Sequence, residues 1–324
     1  MPSKIDISHR TVVFIAVFIL SLWIIFLIRD LLLILFVGLI LMSALAPMVR
    51  LLARFKIPKV LGIAVTYIII IGIIAGVVFL ILPTLIEQTS RLVLTLPPLA
   101  AQFFNITNID KSVFQSDLSS LSKNIFSITI NIFDHFLTII FLLVLTFYFL
   151  LERENLEDRV SALFIGREER IKKLIIHIQE KLGAWLRGQL LLCLIIGVFS
   201  YIGLILLNIP YALPLAIFSG VMEVVPVIGP IISALPAILI ALTISPLLSL
   251  GVAAMFFVIQ QLENNLIVPQ VMRRAVGLNP LMVILAIATG SRLLGFAGAL
   301  LAVPIAVVIQ IILTEVIKEN KLSA

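Results

Sequence analysis

The sequence predicts an all-α, polytopic membrane protein with about six full spans and two re-entrant helical hairpins, eight hydrophobic segments in all. Three observations carry that prediction. First, 62% of the 324 residues are hydrophobic and only 12% are charged, against about 45–50% and about 25% in a soluble domain. The mean hydropathy of +1.25 leaves more apolar surface than a globule of this size can hide from water, whereas lipid can solvate it. Second, several apolar runs approach or exceed the roughly 18 residues a transmembrane helix needs. Third, two late apolar segments are interrupted by proline, glycine and polar residues at the depth where a helix should continue.

The elements follow in order. Spans one and two cover 11–28 and 31–49, joined by Arg29-Asp30, a link short enough only for a tight turn. Span one is too long for an ordinary signal-peptide core and reads as a retained anchor. Span three covers 60–82. Residues 83–125 mix Leu, Ile and Phe with Ser, Thr, Asn and Gln, and Thr84 to Leu96 reads either as an outer-surface helix or as a partly ordered loop. Span four covers 126–151, and a charged segment runs from Glu152 to Arg187. Within it Ile171, Leu174, Ile175 and Ile178 recur at helical spacing, so Arg167 to Lys181 reads as an amphipathic helix, either a solvated connector along the inner headgroups or part of gating or assembly. Span five covers 188–207. The resulting divisions are 1–82, a scaffold and oligomer part; 83–125, an extracytoplasmic loop; 126–208, spans four and five with the charged segment; and 209–317, a hairpin-containing transport core.

Lys and Arg set the orientation. A cytoplasmic N-terminus places fourteen basic residues inside and four outside over spans one to five, the largest cluster being Arg153 to Arg187. Basic residues flanking spans also account for the net charge of +6 without nucleic acid. Cys193 is the single cysteine, so no intrachain disulfide is possible, and it reads as a packing residue. His9, His135 and His177 are scattered and make no metal-ligand set. Neither a phosphate-binding glycine loop nor a metalloprotease or serine-hydrolase motif occurs. Neither an enzyme nor a cofactor is expected.

The broken segments carry the functional information. Glu223 to Pro230 reads EVVPVIGP, with Pro236 shortly after. Pro226 and Pro230 each remove a backbone donor and clash with the preceding turn, and Gly229 lies between them. From Ile209 to Thr243 the run is too long for one span and too short for two with a loop. A re-entrant hairpin fits, as does one long kinked helix. Irregular backbone at membrane depth occurs where protein or a water-filled cavity lines it, and an intramembrane carboxylate such as Glu223 costs about 2.5–3.5 kcal/mol or more when charged. Leu247 to Leu262 makes a span ending in the polar cluster Gln260, Gln261, Glu263, Asn264 and Asn265, either a helix cap or part of a ligand or ion pathway. Leu281 to Thr289 is half a membrane thick. Gly290, Ser291, Arg292, Gly295 and Gly298 interrupt it, and Ala299 to Ile317 follows with Pro304. PIISALP at 230–236 and GALLAVP at 298–304 echo each other, a hint of an internal repeat of the kind secondary transporters use. With hairpins at both breaks, Arg273, Arg274, Lys318 and Lys321 join the cytoplasmic side, and the hairpins enter from opposite faces.

The phrases EVVPVIGPIISALPA (223–237), QLENNLIVPQVM (261–272), VGLNPL (276–281) and GSRLLGFAGALLAVPIAVVIQ (290–310) resemble the autoinducer-2 exporter family, also described as predicted PurR-regulated permeases. The resemblance spans the whole chain and is most specific in its C-terminal half. It implies a homo-pentamer of the bacterial inner membrane with two hairpins per subunit and an elevator-like mechanism. Asn279 stands where members often carry His, and Ser291 where Gly is frequent. The first reading is a secondary transporter that exports a small polar molecule, possibly autoinducer-2-like, and the alternative is sodium or lithium/proton antiport. A non-transporting membrane scaffold is a third. The candidate substrate-binding residues are Glu223, Pro226, Gly229, Pro230, Gln260, Glu263, Asn264, Asn265, Ser291 and Arg292. Gly290, Gly295, Gly298, Pro236 and Pro304 are the candidate hinge or tip residues. The partners expected are the solute or ion, the lipid bilayer and further copies of the chain, with no metal.

Overall fold

The computed structural model describes residues 9–104, 136–226, 228–272 and 277–322. Every regular element among them is helical. In chain order these are α1 (His9–Leu27), α2 (Arg29–Arg54), α3 (Lys59–Phe104), α4 (Phe136–Ala162), α5 (Glu168–Leu206), α6 (Ala212–Met222), α7 (Ile228–Ile244), α8 (Pro246–Leu262), a π-helical turn (Glu263–Ile267), α9 (Val268–Met272) and α10 (Pro280–Leu322). Among the described residues five stretches are long and apolar enough to cross a membrane: Arg29–Arg54, Lys59–Leu80, Glu168–Leu206, Pro246–Met272 and Leu281–Ile317. The molecule is a polytopic membrane protein.

Three expectations are corrected. Arg29-Asp30 is not a reversing turn: Ile28 accepts from the Leu32 N–H and donates to Ile24, both at 3.0 Å, so the helical bonding passes from α1 into α2 with a slight bend. Neither residue is a helix breaker, and nothing in the local sequence stops the ladder. The loop reading of the segment after span three gives way to helix: the apolar stretch Lys59–Leu80 matches the expected span at 60–82, and α3 continues from it through Pro83 to Phe104. The charged segment is no separate connector lying flat. Its first part extends α4 to Ala162, a turn at 163–167 reverses the chain, and its second part is the start of α5, a 39-residue helix that runs into the apolar span. Residues 105–135, including the rest of the outer loop and the start of span four, lie outside the described residues, as do Arg273 and Arg274.

Helix α5 is the hub, and its glycines explain why. At Gly183 an added Cβ would sit 2.3 Å from the Ser43 carbonyl oxygen of α2. At Gly220 of α6 it would sit 2.6 Å from the Cys193 carbonyl of α5 and 3.2 Å from the Gly197 Cα. Small residues let backbones approach where lipid supplies no hydrophobic drive for packing. The α2 crossing has a further device. Pro47 lacks the N–H that would bond Ser43, and Arg187 Nη1 donates to that carbonyl at 3.2 Å and to Ala44 at 3.4 Å.

Three buried clusters result. Met42, Ala46, Val49, Ile63 and Leu150 join α2, α3 and α4. Leu204, Leu215, Ala237, Ile240, Val252 and Phe256 join α5 to α8. Ile40, Leu182, Trp185, Val225, Ile287 and Ala299 are the buried centre of a third, which ties α2 and α5 to both broken segments. Helix α1 stands apart. Its described side chains are all exposed, Phe14 by 70% and Trp23 by 60%, a surface that lipid or another subunit must cover.

Both interrupted segments reverse direction. Helix α6 ends at Met222 and α7 packs back against it, so closely that a Cβ on Gly229 would lie 1.9 Å from the Met222 carbonyl. Pro230 does not break the chain but sits in the first turn of α7, where a missing N–H costs no hydrogen bond. In α10 the break is at Gly295 alone, with φ 61° and ψ −138°, a conformation essentially confined to glycine. There the chain folds back until Gly290 and Gly298 touch: a Cβ on Gly298 would lie 2.0 Å from the Gly290 carbonyl. In a straight helix those two residues stand about 12 Å apart. Pro236 and Pro304 lie inside helices, beyond the tips.

Candidate functional site: a buried carboxyl pair

The first break positions a charge that the fold then buries. Glu223 follows the last residue of α6, and its N–H still bonds Ser219 at 3.1 Å. The turn closes on itself. Val224 and Val225 donate to Val221 and Met222, and Ile228 and Gly229 donate to Pro226 and Val225. Gln189 of α5, itself 2% exposed, reaches across to donate to the Glu223 carbonyl at 2.6 Å. The described backbone of this tip is therefore mostly satisfied by the protein itself.

What remains unsatisfied is the Glu223 side chain. It is 0% exposed, and neither carboxylate oxygen finds a donor among the described residues. Buried polar groups without partners are rare and costly. The group it does meet is another carboxyl, that of Glu263, within hydrogen-bonding reach. Two ionised carboxylates only accept, so this contact becomes a bond when one of them carries a proton or when a cation lies between them.

A local irregularity aims Glu263. Helix α8 loosens into the π turn Glu263–Ile267, whose last bond runs from Val268 N–H to the Glu263 carbonyl. The wider turn leaves Glu263 4% exposed while Asn264 and Asn265 stay at the surface. Such turns recur at functional sites because they re-aim one side chain. Gln260 donates to Glu263 Oε2 at 3.0 Å, with Asn264 Oδ1 3.4 Å from the same nitrogen. Asn265 turns back to the Gln261 carbonyl at 2.9 Å.

Of the predicted site residues, Glu223, Gln260 and Glu263 are thus brought together, with Asn264 at the rim and Pro226 and Gly229 in the turn beneath. Ser291 and Arg292 sit on the other tip. The Ser291 hydroxyl bonds its own helix at Ala288, 2.9 Å away, and Arg292 is exposed. Among the described residues no cationic side chain pairs with either glutamate. The two broken segments share one buried apolar cluster, in which Val225 is joined with Ile287 and Ala299. Gln189 was missed from sequence, although a lone glutamine in an apolar run is a signal of the same kind as Glu223. Ser219 and Ser233 are also buried nearby, and each bonds its own helix.

The AI-2E family transporter profile matches residues 12–318. YrrI of Bacillus subtilis is 30% identical over 281 residues, covering 81% of this chain and 80% of YrrI. YueF of the same organism is 28% identical over 306 residues, covering 85% and 81%. Both are named for transport, with no substrate stated. A protein of Halobacillus andaensis named as a sodium-lithium/proton antiporter is 27% identical over 180 residues, covering 55% of this chain and 51% of its own. The chain belongs to the AI-2E transporter family.

Proposed function

We propose that this AI-2E family transporter is a cation/proton antiporter of the cytoplasmic membrane, with the Glu223–Glu263 pair as the site where proton and cation exchange. The observation that carries the proposal is the fully buried Glu223, whose two oxygens have no donor among the described residues and face a second carboxyl. A pair of that kind holds one proton or one small cation, and a protein that must hold either alternately couples their movement. Gln260 orients Glu263, and Gln189 holds the Glu223 backbone in place. The relative named as an antiporter supports the same chemistry.

The two reversals act as re-entrant hairpins entering from opposite faces, with both termini cytoplasmic, and carry the site through an elevator-like motion. Residues 1–82, with the fully exposed α1, form the static part and the contacts of a homo-oligomer. Labelling of a cysteine near Arg273 from the outside only, in a Cys193-free background, would overturn this arrangement.

Export of a small polar molecule, possibly autoinducer-2-like, is the second reading, favoured by the family's own description. Inverted vesicles containing the full chain and a pH-sensitive dye distinguish the two. Sodium or lithium addition should move protons in wild type and not in Glu223→Gln, at equal membrane insertion. Persistent cation-driven proton movement in Glu223→Gln sinks the carboxyl-pair mechanism. No such movement in wild type, with extrusion of a polar solute instead, replaces antiport by export.

A further inference from the structure

Away from the carboxyl pair, the charged end of α5 and the final turns of α10 border an open cavity of about 520 Å³. Ligand sites commonly measure about 300–1,000 Å³. Arg170, Lys173, His177 and Lys181 line one wall. They recur every three or four positions, so they form one stripe along α5. The facing wall, on α10, supplies Gln310 and Thr314. The cavity also holds one acid, Glu315, which Arg170 Nε bonds at 2.8 Å. That pair ties the two helices together, and Lys173, His177 and Lys181 line the same space. Lys173 has a weak partner outside it, Glu169 at 3.7 Å with both side chains more than 80% exposed, a pair too solvated to hold it there.

We infer that this cavity is a binding site for a phosphate-bearing anion, either the headgroup of an anionic lipid or a soluble phosphate. Three features favour such a ligand. Lysines act as mobile point charges toward phosphate. The Thr314 hydroxyl and the Gln310 amide add neutral donors. The stripe ends at Lys181, one turn before the buried Trp185 and the apolar half of α5, which places it at headgroup height, where basic pockets between helices capture anionic lipid. Occupancy would bridge α5, which contacts the Glu223 turn through Gln189, and α10, which forms the second hairpin.

Purified full-length protein tests this by binding, independently of any transport assay. Native mass spectrometry in neutral detergent reads retention of added phosphatidylglycerol against phosphatidylcholine. A parallel thermal-shift titration uses inorganic pyrophosphate. Lys173→Gln/Lys181→Gln should weaken the bound anion by at least about tenfold, and Lys173→Arg/Lys181→Arg should bind as wild type. Preference for phosphatidylglycerol alone identifies the headgroup as the source. A pyrophosphate shift alone identifies a soluble ligand. Binding of neither, or equal binding by the Gln and wild-type proteins, overturns the site.

Discussion

The two reversals solve the same backbone problem with opposite chemistry. The first, at Glu223–Pro226, surrounds its turn with buried polar groups: Glu223 inside, Glu263 facing it, Gln189 bracing it from α5. The second, at Gly295, has no buried charge. Its two arms touch through Gly290 and Gly298, its serine bonds its own helix, and its arginine points outward. A break that carries a buried acid has a chemical task; a break that carries only glycine has a geometric one. In this molecule the resemblance between PIISALP and GALLAVP is one of shape, and the buried charge belongs to one member only.

Neutralising charge at each tip should separate them most. Glu263→Gln is expected to abolish cation-driven proton movement in vesicles, while Arg292→Gln changes it by less than about twofold. Equal losses from both would merge the two tips into one site. The glycines come next. Gly229→Ala drives a Cβ into the Met222 carbonyl and should cost more than about 3 kcal/mol, read as loss of folded protein in detergent. Gly295→Ala meets no neighbour but must adopt φ 61°, for about 1–3 kcal/mol. If Gly295→Ala were the more damaging, backbone conformation rather than packing would be the stricter constraint on the two turns. Gln189→Leu leaves the Glu223 carbonyl without its donor, at about 1–3 kcal/mol. It should raise the cation KM more than it lowers kcat, because it misplaces the site without removing its charge. The smallest effect belongs to Ser291→Gly, about 0.5–1 kcal/mol from helix entropy, with transport unchanged.

The position of both breaks was legible because proline and glycine act locally, through a missing donor or a backbone angle. Glu223 and Glu263 were legible because charge in an apolar run is costly and so conspicuous. Sequence left unresolved which side chains meet. Gln189 lies 34 positions from Glu223, and no local pattern links them. The π turn that separates Glu263 from Asn264 and Asn265 involves one extra residue in a helical turn, which composition cannot register. Arg29-Asp30 misled because a charged pair between apolar runs suggests an aqueous loop, whereas both residues are compatible with a helix. The seamless entry of α5 into its span was hidden for a related reason: hydropathy changes at Arg187, but the backbone has no cause to change there.

The Pro47 crossing fixes more than a distance. The Ser43 carbonyl is the α2 acceptor that proline frees within that turn, and Arg187 donates to it from a helix that only Gly183 allows so near. Displacing α5 along α2 by one turn, about 5.4 Å, would offer the guanidinium carbonyls already bonded in their own helix. The two helices are therefore indexed like teeth on a ratchet with a single notch. Gln189 lies half a turn beyond Arg187 on the indexed helix, so the brace on Glu223 inherits that fixed register. Any stroke that carries the carboxyl pair across the membrane must take α2 with it or first withdraw Arg187 from its notch.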